Sequence, residues 1–469
     1  MNGIFLLGSS AILYSLITGK KKNKINDTEN INELVDLIIN NKFKYTKYNY
    51  INKGEKTDKE QIDHSKELKN ICSDFVVKYF IGYKNNLYNF FDIINKMFYN
   101  AIDYYIKQKN LKPNSIFFLY KGGNILRIIA NEFLIELPGN ASKQIEDYYS
   151  KFFKLSDADY GIYIDPSLSN FEEVFNDMTN LSYLLQKIIR DNINNNVYNF
   201  FDYYKYNNNY KKQILQELLE QLNNSNTIND INSPFYKSKF NNILIDSTDN
   251  INYKGEKDFI LNFNKNNIVY SNINNTKNDI YISINNTLEF KSDRGNTIKF
   301  NLVRSKLLFN TLYTNQNNKL NNLDLSGELI DVSITHKNDN SLYHFFENIQ
   351  NFVSIYKLKL NENNIIFKSY SFEYLVKDLE RILFINSDKP WNDSKYEKRV
   401  NRLFYLCYID SFIKLSSNKV RINYYIDMKN NLLVYLAQFN RNNLKQINKN
   451  INYFLRKYNT ISLYFDSVI

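Results

Sequence analysis

Two short stretches of sequence decide the fold. They read Tyr120-Lys121-Gly122-Gly123-Asn124 and, further along the chain, Leu155-Ser156-Asp157-Ala158-Asp159-Tyr160. The glycine pair follows an apolar, aromatic run at 115–120 that has strand character, and apolar residues at helical spacing follow it over 124–134. Glycine lets backbone N–H groups approach an anion closely, and a helix N-terminus favours negative charge. The first stretch therefore predicts a strand, a phosphate-binding turn and a helix.

The second stretch places two acids on a predicted strand. Asp157 and Asp159 are two residues apart, so their side chains leave the same face, about 6–7 Å apart. Two such carboxylates suit a pair of Mg²⁺ (or Mn²⁺) ions, whose shells substrate phosphates complete. A glycine pair alone is commonly a turn, and an Asp-x-Asp alone is commonly a solvated strand end or a helix cap. Their order in one chain favours phosphate-and-metal chemistry.

A third acid from another strand would complete a two-metal site. In the run Gly327-Glu328-Leu329-Ile330-Asp331-Val332, Asp331 stands between β-branched residues, where a charge is costly unless it is paired or binds a metal. We expect Asp331 to be a ligand, with Glu328 as the second choice. The alternative is a strand-edge acid bonded to a turn.

A predicted strand over residues 298–309 carries two cations. Arg304 and Lys306 share one face of it, and Val303 and Leu307 take the other. The two cations would neutralise the phosphates of an incoming triphosphate. They would equally form the solvated side of a hairpin.

Taken in order, these motifs resemble those of a known group of enzymes. The glycine turn, the acid pair and the two later strands are similar to polymerase-β-like nucleotidyltransferases of large cytoplasmic DNA viruses, specifically the poly(A) polymerase catalytic subunits of pox-like and giant viruses. Three later segments also resemble the giant-virus members, and the resemblance covers roughly residues 110–410; the segments are 374–380, Lys389-Pro390-Trp391-Asn392-Asp393 and Lys395-Tyr396-Glu397-Lys398-Arg399.

The resemblance implies an α+β fold, with a polymerase-β-like core of mixed sheet and helices between helical regions at both ends. It implies ATP as donor, RNA 3′ ends as acceptor, and a two-metal mechanism. It leaves open a homodimer or a viral processivity subunit as partner. Its catalytic and metal-binding acids correspond to Asp157, Asp159 and Asp331. Its nucleotide-binding positions correspond to Lys121, Gly122, Gly123, Asn124, Ser156, Arg304 and Lys306.

This chain departs from the family pattern in two places. The family's glycine pair is commonly followed by Ser, whose hydroxyl meets a phosphate, whereas Asn124 stands here and offers an amide. The connection from the glycines to the acids is also longer than in small nucleotidyltransferases, with Pro138-Gly139-Asn140 and a second helix inserted. The first departure bears on whether the site is active.

Charge and composition are consistent with a polyanionic partner. The chain of 469 residues has a formal net charge of +11 and contains 39 Tyr and 34 Phe. Such a charge supplies salt-sensitive affinity for RNA, and exposed aromatic rings would stack on bases. The two cysteines are too few for a disulfide framework, which indicates a reducing compartment. No zinc-ligand spacing and no Ser/His/Asp arrangement is present in the sequence.

The N-terminus is the second informative region. Residues 4–17 are uncharged and mostly apolar, and the basic run Lys20-Lys21-Lys22-Asn23-Lys24 follows. About 20 apolar residues are needed to span a bilayer. Three interpretations compete: a short anchor with its basic flank in the cytoplasm, an interfacial segment that contacts a membrane, and an ordinary buried helix. The predicted location is cytoplasmic, in a viral factory or a virion, with or without this anchor.

The pattern of apolar residues divides the chain into four regions. We expect a hydrophobic segment with a basic flank at 1–24, a linker and helical domain at 25–110, a nucleotidyltransferase core at 111–335 with an insertion near 194–275, and a helical domain at 336–469. Helical spacing over 66–107 indicates the helical domain, and individual helices are predicted over residues 31–40, 171–193, 345–358, 370–384, 395–415 and 430–458.

Two classes of function follow. The first is a template-independent nucleotidyltransferase, a viral poly(A) polymerase. The second is a catalytically inactive, membrane-associated relative that binds nucleotide or RNA without transfer. Transfer of a nucleotide to a protein or small molecule is a third option.

Overall fold

The chain folds around a mixed sheet packed with helices, which confirms the α+β class. The computed structural model describes residues 28–41, 84–135, 157–194, 208–244, 260–264, 267–271, 280–291, 297–338, 341–360 and 363–372, with short pieces within 67–75, 374–379 and 398–406. The described helices are α1 (Thr28–Ile39), α2 (Lys84–Gln108), α3 (Gly122–Ile135), α4 (Phe171–Asn194), α5 (Asn208–Asn223), α6 (Asn226–Asn229), α7 (Ser341–Glu347) and α8 (Ile349–Phe352).

Eight of the described strands form one sheet, in the order β3-β7-β8-β2-β1-β10-β9 with β6 also paired to β7. The strands are β1 (Ile116–Lys121), β2 (Ala158–Ile164), β3 (Lys239–Leu244), β4 (Ile260–Asn264), β5 (Asn267–Ser271), β6 (Ile280–Lys291), β7 (Thr297–Thr314), β8 (Leu320–Thr335), β9 (Val353–Leu360) and β10 (Asn363–Tyr370). Strands β4 and β5 form a separate hairpin. Within the sheet, β1 is parallel to β10 and β2 is parallel to β8, whereas the other pairs are antiparallel.

The aromatic core lies between α2 and one face of the sheet. Phe118 of β1 stacks between Phe98 of α2 and Tyr160 of β2, at centroid distances of 4.3 and 4.5 Å. Tyr120 packs against Tyr160 on the same face, and both rings are fully buried. Such rings bury large apolar areas, so they fix the central strands firmly.

Helix α4 covers the same face of the sheet further along. Its Gln186 donates to the Val303 carbonyl of β7 at 3.0 Å and accepts from the Ser305 hydroxyl at 2.6 Å. Because side chains alternate along a strand, Arg304, which lies between Val303 and Ser305, points to the opposite face. The opposite face of β1, β2, β8 and β7 is where the polar residues collect.

Local sequence patterns predicted the central elements correctly. The aromatic strand, the helix that begins at the glycine pair, the acid-bearing strand and the long helix after it are all present as β1, α3, β2 and α4. The predicted strand over 298–309 lies within β7, and the short helix predicted at 31–40 corresponds to α1. These elements were predictable because each carries its own hydrophobic periodicity.

The prediction of an all-helical region at 336–469 is wrong at its beginning. The helix expected over 345–358 ends at Phe352, and β9 and β10 follow. Strand β10 pairs with β1, and the buried Ser369 donates to the Tyr120 carbonyl at 2.5 Å. The core sheet therefore extends past residue 335. This hairpin is rich in β-branched and aromatic residues, as in Val353-Ser354-Ile355-Tyr356-Lys357, and pairing of β10 with β1 favours the strand.

The predicted insertion near 194–275 also differs from expectation. It contains α5 and α6 as well as Asn-rich turns, but it also supplies β3, which joins the main sheet by pairing with β7. The hydrophobic segment at 1–24 and the helix predicted over 430–458 lie outside the described residues, as do part of 370–384 and most of 395–415. Among the described helices, none is both long and apolar enough to cross a bilayer.

Candidate functional site

Four charged residues form one row across four adjacent strands. In strand register, Lys121 of β1 lies beside Asp159 of β2, Asp159 beside Asp331 of β8, and Asp331 beside Arg304 of β7. Register partners point to the same face, and neighbouring strands are about 4.8 Å apart. The row therefore reads positive, negative, negative, positive on the face opposite α2 and α4. Like charges side by side are destabilising, and residues selected for stability alone would avoid them.

The turn at the end of β1 touches one of these acids directly. Gly122 has φ of +77°, a conformation that favours glycine. A Cβ on Gly122 would lie 2.0 Å from Asp159 Oδ2, so no side chain fits there. The glycine is thus required twice, by its backbone conformation and by the carboxylate that packs against it. The turn opens α3, whose first N–H groups have no partner within the helix.

The second glycine lies against a different side chain. A Cβ on Gly123 would lie 2.7 Å from Arg402 Nη1 and 2.9 Å from Nη2. Arg402 belongs to a helical stretch at 398–403 and is 8% exposed. Its guanidinium group therefore packs on the glycine turn. Burial lowers the pKa of Arg402 to about 10, against the attraction of Asp159 and Asp157, so the group stays cationic at neutral pH.

The Asn124 side chain makes a backbone hydrogen bond that the sequence did not predict. Its Nδ2 donates to the backbone carbonyl of Asp157 at 2.7 Å, and the residue is 1% exposed. The amide therefore ties the start of α3 to the start of β2, which positions the glycine turn against the acid pair. A phosphate contact by this Nδ2, in the manner of the family's Ser, would require breaking that hydrogen bond.

The second acid of β8 reaches the site through a β-bulge. The β7–β8 register shifts between Ser305 and Lys306, whose partners are Ile330 and Glu328, so Leu329 is the extra residue. Glu328 and Asp331 are three apart and would point to opposite faces of a regular strand. Here both reach one guanidinium, with Arg304 Nη1 to Glu328 Oε1 at 3.0 Å and Nε to Asp331 Oδ2 at 3.3 Å.

Lys121 turns toward the acids. Its Nζ donates to Ser333 Oγ at 2.5 Å, one pleat along β8 from Asp331. Burial lowers the pKa of Lys121, but attraction from Tyr163, Asp331, Asp159 and Asp378 outweighs it, and the net shift is upward. Lys121 therefore acts first as a counter-ion within the row.

The nearby cations do not fully neutralise the negative charge of the acids. Burial, with repulsion from Glu328 and Asp331, raises the pKa of Asp157 to about 7. Burial also raises the pKa of Asp331 to about 6, with Glu328 adding and Arg304 opposing. For Asp159 the pKa lies well above its usual value because of burial and the repulsion of Asp157 and Asp331. Uncompensated negative charge in a partly buried site is typical of functional sites.

The comparisons with known proteins add one relative. The chain is 36% identical over 165 residues to an uncharacterized protein of Acanthamoeba polyphaga mimivirus. That stretch spans 32% of this chain and only 20% of the mimivirus protein. No protein-family profile matches, and no solved structure matches. The comparisons therefore show partial similarity to a giant-virus protein.

The carboxylates suit a hard divalent cation by their chemistry. Oxygen ligands from Asp and Glu are those that Mg²⁺ takes, and a cation would relieve the repulsion that raises these pKa values. Among the described residues no group of three or more such side chains converges into a preformed cage. Mg²⁺ commonly keeps several waters and completes its shell with substrate phosphates, so an open set of acids fits it.

Most of the predicted site residues come together in the structure. Two of them fall wholly or partly outside the described residues. The side chain of Lys306 and all of Ser156 fall outside the described residues, although the Lys306 backbone is in register with Glu328. Arg402 was missed as a site residue, because in sequence it looked like part of an amphipathic helix. Its buried neighbours Val400 and Leu403 gave that signal, and nothing local indicated that Arg402 would face the glycine turn.

Proposed function

We propose that this protein is a template-independent nucleotidyltransferase of a giant virus, a poly(A) polymerase that adds AMP from ATP to RNA 3′ ends. The observation that carries the proposal is the register of Asp159 and Asp331, side by side on parallel strands, with Asp159 Oδ2 against the Gly122 turn. Paired acids beside a glycine turn at a helix N-terminus serve transfer from a triphosphate.

In the proposed mechanism the chain's own groups bind and orient. Backbone N–H groups at Gly122 and Gly123 bind phosphate oxygens at the start of α3. Asp157, Asp159 and Asp331, with Glu328 beside them, would hold Mg²⁺ or Mn²⁺, which neutralises phosphate charge and makes a bound hydroxyl more acidic. Arg304 fixes the orientation of Asp331 and Glu328 through its two ion pairs.

The reaction forms one bond and breaks one. The RNA 3′ oxygen attacks the α-phosphorus of ATP in line, and the bond between this phosphorus and the pyrophosphate breaks. The proton of the hydroxyl passes to a carboxylate of the site. Asp331 is the acid placed to orient that hydroxyl, because it lies on the far side of Asp159 from the glycine turn. The resemblance, not the residues, is the reason for naming ATP.

One observation favours the inactive alternative. Asp331 is paired with Arg304, and the Asn124 amide is engaged with Asp157, so two groups that a transferase would use already have partners. A relative that binds nucleotide without transfer would tolerate both contacts.

The test is extension of a 5′-labelled RNA primer by the full chain, with each of four nucleoside triphosphates and Mg²⁺. We expect extension with ATP and a loss of more than about 100-fold in Asp159→Asn, since replacing even a residue that only supports a metal ligand typically costs about 10–100-fold. Asp103→Asn is the matched control, because Asp103 is an exposed acid on α2. Folded wild-type protein that extends no primer would refute transfer to RNA.

A further inference from the structure

We propose that Arg402 binds the outer phosphates of the nucleoside triphosphate and so lets the site distinguish a triphosphate from a monophosphate. The inference deepens the proposed function and rests on it. It assigns to the segment 398–403, which comes from the C-terminal part of the chain, a direct role at the glycine turn.

The first support is position. In the Gly122-Gly123 turn, the Asp159 carboxylate packs on Gly122 and the Arg402 guanidinium packs on Gly123. The Cα atoms of consecutive residues are about 3.8 Å apart. The guanidinium and the carboxylate therefore contact neighbouring residues of the same turn. A phosphate bound to the backbone N–H groups of this turn would lie within reach of Arg402. The planar fork of a guanidinium suits phosphate oxygens, which it binds in pairs.

The second support is charge. Arg399 and Arg127 lie close enough to repel Arg402, whereas Asp159 and Asp157 attract it, so the glycine turn lies where guanidinium groups and acids meet. Arg127 comes from the first turns of α3, and Arg399 from the same helical stretch as Arg402. Asp331 and Glu328 continue the acids onto β8, beyond Asp159 as seen from the glycine turn. A triphosphate with its reacting phosphorus at the acids would therefore extend its outer phosphates toward the arginines.

The third support is the cost of the arrangement. Arg402 is 8% exposed, and burial together with the repulsion of Arg399 and Arg127 lowers its pKa although Asp159 and Asp157 attract it, so placing a guanidinium here is costly. Position 123 lies in a helix, and its φ would allow other residues. Glycine at this position leaves room for the guanidinium. Both features are explained if the group serves an anionic ligand.

The experiment measures binding without transfer. MgATP and AMP are each titrated into the full-length protein by calorimetry in the absence of RNA, for wild type, Arg402→Gln, Arg402→Lys and Lys319→Gln. Lys319 is an exposed residue of the β7–β8 turn, so its replacement removes the same charge far from the site. We expect Arg402→Gln to weaken MgATP binding about 10- to 100-fold and AMP binding less than about 3-fold.

Arg402→Lys keeps the charge and loses the fork, so we expect an intermediate loss for MgATP. Lys319→Gln should bind both nucleotides as wild type does. Equal weakening of MgATP and AMP, or no weakening of either, would overturn the inference.

Gly123→Ala tests the same contact from the other side. Its methyl group would displace the flexible end of Arg402, so the variant should fold and show the same selective loss. If it acts through Arg402, the double variant Gly123→Ala/Arg402→Gln should bind MgATP no more weakly than Arg402→Gln alone. Additive losses would contradict a direct contact.

The outcomes separate the two proposals. Selective loss of MgATP binding in Arg402→Gln, together with no primer extension by wild type, would refute transfer to RNA and leave the role of Arg402 standing. Primer extension with unselective loss would do the reverse. A wild-type protein that binds neither nucleotide would overturn both.

Discussion

At the scale of single residues, the two adjacent glycines have separate reasons to be glycine. Gly122 has a left-handed backbone conformation and lies against Asp159, whereas Gly123 has neither and lies against Arg402. A rigid carboxylate on a central strand cannot move as the end of an arginine can. The two positions should therefore respond differently to the same substitution.

We predict that Gly122→Ala lowers the free energy of unfolding by more than about 1 kcal/mol, since strain from φ adds to the overlap with Asp159. Gly123→Ala should cost clearly less. Urea denaturation of both variants beside wild type measures the difference. Equal losses would contradict the structural distinction between the two glycines.

The acid row makes a second prediction at this scale. Asp159→Asn removes a charge that Asp157 and Asp331 repel, so we expect the variant to be more stable than wild type while losing activity. Thermal unfolding without divalent cations measures it, with the exposed Asp103→Asn as control. A lower unfolding temperature for Asp159→Asn would mean that the attraction of Lys121 and Arg402 outweighs the repulsion.

At the scale of elements, α4 holds the strand that carries Arg304. The fully buried Gln186 side chain spans the backbone of Val303 and the hydroxyl of Ser305, the two neighbours of Arg304 in β7. Helix α4 thus sets the position of β7 from the face opposite the site. The bulge in β8 then turns Glu328 toward the same guanidinium.

We predict that Gln186→Leu destabilises the fold by about 1–3 kcal/mol, because it leaves a buried carbonyl and a buried hydroxyl without their partner. Gln213→Leu is the matched control, since Gln213 is an exposed residue of α5. Chemical denaturation compares the two variants. A loss no larger than that of the control would show that α4 does not anchor β7.

At the scale of the whole molecule, a chain with a net charge of +11 gathers acids at one site. The pKa values of Asp157, Asp159 and Asp331 are raised above those of an unfolded chain, so the folded state binds protons more tightly. Stability from these groups therefore rises as pH falls from about 8 through 7 and 6 toward 4. Glu172 and Glu173 have lowered pKa values, and they lose their contribution only at more acidic pH.

We predict that Mg²⁺ raises the unfolding temperature at pH 8 and raises it much less at pH 5.5, because protons compete for the same carboxylates. Differential scanning fluorimetry with and without Mg²⁺ at the two pH values measures this. The Asp159→Asn variant should lose most of the effect at pH 8. An Mg²⁺ effect that is independent of pH would place the cation elsewhere.

Sequence patterns predicted much of the site because its parts are local. The Gly122 turn, the Asp157/Asp159 pair and the isolated Asp331 each stand out from their immediate neighbours, and the structure brings them together. Glu328 was the second choice because Asp331, and not Glu328, stands between two β-branched residues; in a regular strand Glu328 would also point away from Asp331. Only the bulge at Leu329, which depends on pairing with β7, reverses that.

The central elements β1, α3, β2 and α4, the glycine turn and the acid pair were determined by the sequence itself, because periodicity, glycine conformation and charge next to apolar residues act over a few positions. The tertiary structure alone decided that β10 would pair with β1, that Arg304 would join Glu328 to Asp331, and that Arg402 would lie on Gly123. Each of these contacts joins residues distant in sequence, or depends on the register of such a pairing, and its stability comes from packing that no local pattern encodes.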